Sequence, residues 1–307
     1  RQKYFEGSNN YPSLDFKFNK DKIISIFENY DHVQLSVTSA FIRKSAIGNI
    51  KFDETVKYSE DAKFLNEIII KNGKLGIIAS SLHLYRKRNS EDSAIQTKSH
   101  DKDWYLVTPI KCYYHAFLLS KKKYGYVIPY FQYYVAYDYQ WRIKDEIPDC
   151  IDKKIVEKYL KITMRILKKI DDDIILCLRQ IPSEYKIKML SIKHNKDVTK
   201  YFKYINHSLY YEGYSVIDLR NSNHLKLNII NFKDNYMEIR GVVNLPLYLS
   251  DYEINVVINN KDRIHLNLKR TKINIRKTFN RGFIFNYGFI VDIPLRDFKN
   301  IYFEFLN

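Results

Sequence analysis

The closing stretch of the chain alternates. Apolar residues recur at every second position in Leu225/Leu227/Ile229, Ile254/Val256/Ile258, Ile264/Leu266/Leu268, Phe289/Val291/Ile293 and Ile301/Phe303/Phe305. A period of two puts these side chains on one face of a strand, and no helix can do the same. Asn259-Asn260-Lys261-Asp262 separates two of these runs and reads as a hairpin turn. Earlier in the chain the spacing is helical, at Trp104–Lys121, Tyr130–Lys144, Lys153–Lys169 and Asp171–Gln180, with Pro129 and Pro148 near the boundaries. Two periods cannot share one element. The chain therefore divides into three stretches: 1–100 with mixed short strands and helices, 101–200 mostly helical, and 205–307 an antiparallel β-sandwich. The fold class is α/β plus all-β.

Composition bounds the partners. The net charge of +16 favours an anionic partner: a phosphorylated sugar polymer, an acidic membrane face or nucleic acid. The basic residues are spread along the chain and spell no nucleic-acid motif, so nucleic acid is set aside. Within the sandwich, Arg270, Lys272, Arg276 and Lys277 suit one basic hairpin, as a polyanion contact or as an ordinary soluble edge. Cys112, Cys150 and Cys177 are odd in number, far apart and without metal-ligand spacing. This points to a reducing, cytoplasmic compartment. No run approaches the roughly 18 apolar residues of a membrane span. The chain opens on Arg1 and is expected to begin within a longer protein.

In the first stretch, Lys20–Tyr30 reads as a short helix. Val33–Ile42, rich in β-branched residues, reads as a strand. Ser59 reads as the N-cap of a helix over 60–71, with Glu60 and Asp61 in its first turn. Phe64, Leu65, Ile68 and Ile69 form its apolar stripe, and Asn72-Gly73 ends it. Leu75–Ala79 and Leu82–Tyr85 read as strands.

Phe52-Asp53-Glu54 followed by Tyr58-Ser59-Glu60-Asp61 carries the chemistry. Two carboxylates at a helix mouth can include a proton acceptor for a substrate hydroxyl. Such a pair is also an ordinary favourable first turn. The context decides: a Phe-Asp, then a Glu-Asp opening an apolar helix, resembles the acceptor half of family 2 glycosyltransferases of the GT-A fold. Leu35–Lys44 is similar to the segment upstream of that base. Tyr85-Arg86-Lys87-Arg88-Asn89-Ser90-Glu91-Asp92-Ser93 is similar to the loop beside the donor diphosphate. The resemblance implies Asp61 as general base and Glu60 as its neighbour. It implies Ser39 and Lys44 at the acceptor, and Arg86, Arg88, Ser90 and Ser93 at the diphosphate. An inverting transfer needs a base for the incoming hydroxyl and positive charge for the leaving group.

The departures are as informative. The family's opening strand, nucleotide pocket and Asp-x-Asp metal motif do not precede Phe52. Asp101-Lys102-Asp103 has the spelling but comes after the base segment, which is the wrong place. The front of the α/β layer is therefore expected to be missing. The divalent Mn or Mg of the complete enzyme, and tight nucleotide-sugar binding, are not expected of this piece alone. Pro129–Arg142 and the sandwich resemble the extensions of bacterial enzymes that make capsule and wall teichoic acid. The implied partners are a nucleotide sugar and a glycan or polyol-phosphate acceptor, at the inner face of the membrane. A non-catalytic module for polymer binding or oligomerisation is the other reading.

Overall fold

The computed structural model describes residues 2–5, 14–86, 98–179, 181–218, 220, 225–244, 253–270, 276–278, 281–284 and 286–306. The chain divides into two compact units. One comprises Arg1–Ile181 with Ile192–Asn195, the other Pro182–Ser191 with Lys196–Asn307.

The first unit holds two small strand pairs. β1 (Gln2–Phe5) runs parallel to β4 (His83–Arg86), and β2 (Lys22–Ser25) is antiparallel to β3 (Lys74–Ile77). Its helices are α1 (Lys44–Ile47), α2 (Glu60–Asn72), α3 (Lys102–Leu106), a π-helical segment (Pro109–Tyr114), α4 (His115–Tyr124), α5 (Pro129–Lys144), α6 (Lys153–Leu167) and α7 (Asp172–Leu176). A further helix, α8 (Ser183–His194), straddles the division between the units.

α5 is the centre of this unit. Tyr130, Phe131, Tyr134, Val135, Ala136, Tyr139 and Ile143 are fully buried. They occupy its whole circumference, as expected of a helix surrounded by other elements. Pro129 starts the helix where a missing N–H costs nothing. The aromatic residues of this segment are thus mainly core. Gln132 ties α5 to the start of α7: its Nε2 donates to Val127 O and Asp171 Oδ2 at 2.9 Å, and its Oε1 accepts from Asp171 N at 2.6 Å.

Two expectations for the first stretch fail. Residues 22–25 form a strand and not a helix, because adjacent Ile23 and Ile24 face opposite ways. Ile24 is buried while Ile23 lies 78% exposed. Residues 33–42 form no strand; the segment holds only a 3-10 turn at Val37–Ser39. Its backbone groups are taken by side chains in place of a ladder. Lys17 Nζ donates to Val33 O, Gln34 Nε2 to Ser36 O, and Val37 N donates to Asp61. The helix after Ser59 does form, with Ala62, Phe64, Leu65, Ile68, Ile69 and Ile70 buried. Gly73 ends it in the left-handed region, its N–H reaching Ile69 O at 2.8 Å.

The second unit is antiparallel throughout its described sheets. β5 (Lys203–Ile205), β6 (Ser208–Tyr211) and β7 (Tyr214–Asp218) form a meander. The longer strands β8 (Leu225–Lys233), β9 (Tyr236–Asn244), β12 (Lys269–Arg270) and β15 (Asn286–Pro294) make a sheet in the order β12-β15-β9-β8. β10 (Glu253–Ile258), β11 (Asp262–His265) and β16 (Ile301–Leu306) make another. β13 (Arg276–Thr278) pairs with β14 (Arg281–Ile284). Asn259 and Asn260 take positive φ in the three-residue loop between β10 and β11, where Lys261 N reaches Ile258 O at 2.9 Å. Phe289 of β15 meets Phe303 of β16 at 5.8 Å between ring centroids. At Gly241 an added Cβ would lie 2.5 Å from the Phe289 ring and 2.6 Å from Lys226 O, so no other residue fits there without movement.

Candidate active site around Asp61

Asp61 sits in the first turn of α2, half-buried, where the helix dipole favours a negative charge. One of its oxygens is held. Oδ2 accepts from Val37 N at 3.2 Å and from Ser36 Oγ at 3.4 Å. Oδ1 has no hydrogen bond among the described residues. A carboxylate fixed by one oxygen and open at the other is what proton acceptance requires. Glu60, also half-buried, begins the same helix.

The residue before them is in an unusual conformation. Ser59 has φ 62 and ψ 21, left-handed for a non-glycine residue. It makes no side-chain cap, contrary to its expected N-cap role. Its hydroxyl instead points to Asp138 Oδ2 on α5, at 3.4 Å. Asp138 is held in turn. The buried Tyr113 hydroxyl donates to the same carboxylate and accepts from Arg142 Nε at 2.7 Å. Arg142 is buried and lies 3.4 Å from the Trp104 ring centroid, with Nη1 donating to Trp104 O. The i, i+4 relation of Asp138 and Arg142 is thus mediated by Tyr113 and not made directly.

Asp53, the acid of the Phe-Asp pair, has a structural task. It accepts from Lys63 Nζ at 2.5 Å and from Thr55, and the Lys63 hydrogen bond holds its carboxyl well below the usual range. It thereby fixes the preceding loop to α2. Asp101 caps α3, its Oδ1 accepting from Asp103 N at 2.9 Å. Its Oδ2 accepts from Lys57 Nζ at 2.7 Å, which lowers its pKa, and from Tyr58 OH. Both its oxygens are thus committed to hydrogen bonds. Among the described residues no group of three His, Cys, Asp or Glu side chains is placed to hold a metal ion. A cleft of about 530 Å³ adjoins Tyr58, rimmed by Lys57, His100, Lys102 and Asp152.

The other residues singled out from the sequence are dispersed. Ser39 is half-buried, accepting from Gln34 Nε2 at 3.0 Å, and so belongs to the segment holding Asp61. Lys44 opens α1 and is exposed. Arg86 ends β4, opposite Phe5. Arg88, Ser90 and Ser93 lie outside the described residues, as does Lys272; Arg270 is in β12 and Arg276 and Lys277 in β13. Sequence reasoning missed Lys17 and Gln34. The flanking Phe16 and Phe18 were the available sign that Lys17 is buried. Cys112 is buried, its thiol pushed up to about 12 by desolvation, whereas Cys150 and Cys177 are exposed; all three are free. No described helix is long and apolar enough to cross a membrane.

No family model matches the chain. Minor teichoic acid biosynthesis protein GgaB of Bacillus subtilis (strain 168) is 30% identical over 248 residues, 78% of this chain and 27% of that protein. Minor teichoic acid biosynthesis protein GgaA of the same organism is 26% identical over 197 residues, 62% of this chain and 44% of that protein. This chain is a relative of these teichoic acid biosynthesis proteins. It spans about a quarter of the first and less than half of the second. Among solved structures, S. aureus TarS 217-571 covers 67% of this chain and 61% of its own at 10% identity, with a TM-score of 0.31, too low to place the two in one fold.

Proposed function

We propose that this chain is the acceptor-side part of a family 2 glycosyltransferase that transfers a sugar from a nucleotide-sugar donor to a teichoic-acid-like polymer. The observation that carries it is Asp61: one oxygen held by Ser36 and Val37, the other open, at a helix mouth beside Glu60. Asp61 takes the proton of the acceptor hydroxyl as that oxygen attacks the anomeric carbon and the nucleoside diphosphate departs. The short strand pairs and α2 are then the back of a GT-A layer, and 205–307 is an accessory sandwich. The cleft beside Tyr58, with Lys57, His100 and Lys102, suits the phosphates of a polyol-phosphate acceptor. The charge of +16 suits polyanionic polymer and the inner membrane face. In this reading the complete enzyme uses Mn or Mg for the departing diphosphate.

The test is Asp61→Asn in the full-length protein, assayed for nucleotide release from a panel of UDP- and CDP-linked sugars with teichoic-acid acceptor and manganese. Turnover is expected to fall at least about 100-fold with the melting temperature unchanged. Near-normal transfer by the folded variant rules out the base role and leaves the non-catalytic reading.

A further inference from the structure

Lys17 is a buried amine, 3% exposed, in the first unit. No carboxylate contacts it among the described residues. Its Nζ donates to Val33 O at 2.7 Å and to Gln34 Oε1 at 2.9 Å, and lies 5.2 Å from the Phe18 ring centroid. Two acceptors match the two N–H groups of a neutral amine. Desolvation brings its pKa down to about 7, so the neutral form is accessible near physiological pH. A lysine is costly to bury in this way, and a polar group so placed is held for a reason or replaced by an apolar one.

What it holds is the segment that grips Asp61. Gln34, fixed through its carbonyl oxygen by Lys17, turns its amide nitrogen to Ser36 O at 2.9 Å and to Ser39 Oγ at 3.0 Å. Ser36 Oγ and Val37 N then reach Asp61 Oδ2. Apart from the single 3-10 turn at Val37–Ser39, the segment has no ladder or helix of its own to hold it. Its conformation rests on side chains, and Lys17 is the one beneath it.

We propose that Lys17 is a positioning residue for Asp61: by clamping Val33 and Gln34 it sets the 33–39 segment that holds one carboxylate oxygen and leaves the other open to the acceptor. This rests on Asp61 being the base. In Lys17→Met the segment loses its clamp, Asp61 samples orientations in which neither oxygen is aimed, and the cost falls on turnover and not on donor affinity.

The experiment uses the full-length protein with whichever of UDP-glucose, UDP-galactose and their N-acetylhexosamine forms gives the fastest UDP release. Lys17→Met is expected to lower kcat about 10-fold with the donor KM within about twofold. Hydrogen exchange of the peptide covering 33–39 is expected to speed up at least about 10-fold, with α5 peptides unchanged. Gln34→Met, which cuts the link to Ser36 and Ser39 and leaves the buried amine its bond to Val33 O, is expected to do the same and serves if Lys17→Met does not fold. Asp61→Asn is run alongside. If it is inactive while both clamp variants keep wild-type kcat, or if exchange at 33–39 does not change, the positioning role is overturned and the base reading stands. If Asp61→Asn itself is active, the base reading fails and this inference with it.

Discussion

The two units place their basic residues differently. In the first, Lys17 and Arg142 are buried and their hydrogen bonds lead toward Asp61 and Ser59. In the second, pairs such as Arg220–Asp218 and Arg263–Glu304 face solvent, with the arginine side chains 68% and 52% exposed. A buried ionisable group costs several kcal/mol unless fully partnered, whereas an exposed pair contributes little. The difference teaches where geometry is being enforced: the first unit spends stability to hold basic side chains in place, and among the described residues the second buries no lysine or arginine, its one buried charge being Glu238, paired with Arg240 and Lys233.

Four measurements break or sharpen this contrast. The largest effect is that of Asp61→Asn, at least about 100-fold in turnover with folding intact. Next is the pH dependence due to Lys17. Its folded pKa of about 7 lies below its unfolded 10.5, so between these values the unfolded chain binds more protons and stability rises with pH. The burial cost is in full force below pH 7. Denaturant unfolding at pH 7 and pH 9 is expected to show wild type gaining about 2–3 kcal/mol relative to Lys17→Met over this interval; parallel pH profiles would show the amine to be solvated. Third, Tyr113→Phe removes a hydroxyl that serves Asp138 and Arg142 together. It is expected to cost about 1–3 kcal/mol by denaturant unfolding, since it leaves buried polar atoms unpartnered. The smallest is Arg263→Ala, expected to leave the melting temperature within experimental error. A large loss there would erase the contrast between the units.

The elements legible in the sequence were those whose residues make their own case. The helical run of α5, the apolar face of α2, the alternation of β10 and β15 and the Asn259-Asn260 turn each arise from local pattern. The helix that carries Asp61 was legible up to its stop at Gly73. What local pattern could not show was dictated from a distance. Residues 33–42 have strand propensity, but Lys17 and Asp61, far off in sequence, take their backbone groups. Ser59 has the identity of an N-cap, yet Asp138 on another helix draws its hydroxyl away. The Asp138–Tyr113–Arg142 chain needed three elements in place before it could be seen.

The π segment at Pro109–Tyr114 sets a limit on insertions and deletions. A π turn accommodates one residue more than an α turn, and such turns persist where the displaced side chain has a task. Here that side chain is Tyr113. Removing one residue from 109–112 lets the segment relax to α geometry and turns Tyr113 by about 100° around the axis relative to the preceding helix. The tyrosine hydroxyl then leaves Asp138 and Arg142. Homologues one residue shorter at this turn are expected to have lost the whole Tyr–Asp–Arg chain together, so a single alignment gap marks two different solutions for anchoring Ser59 at the start of α2.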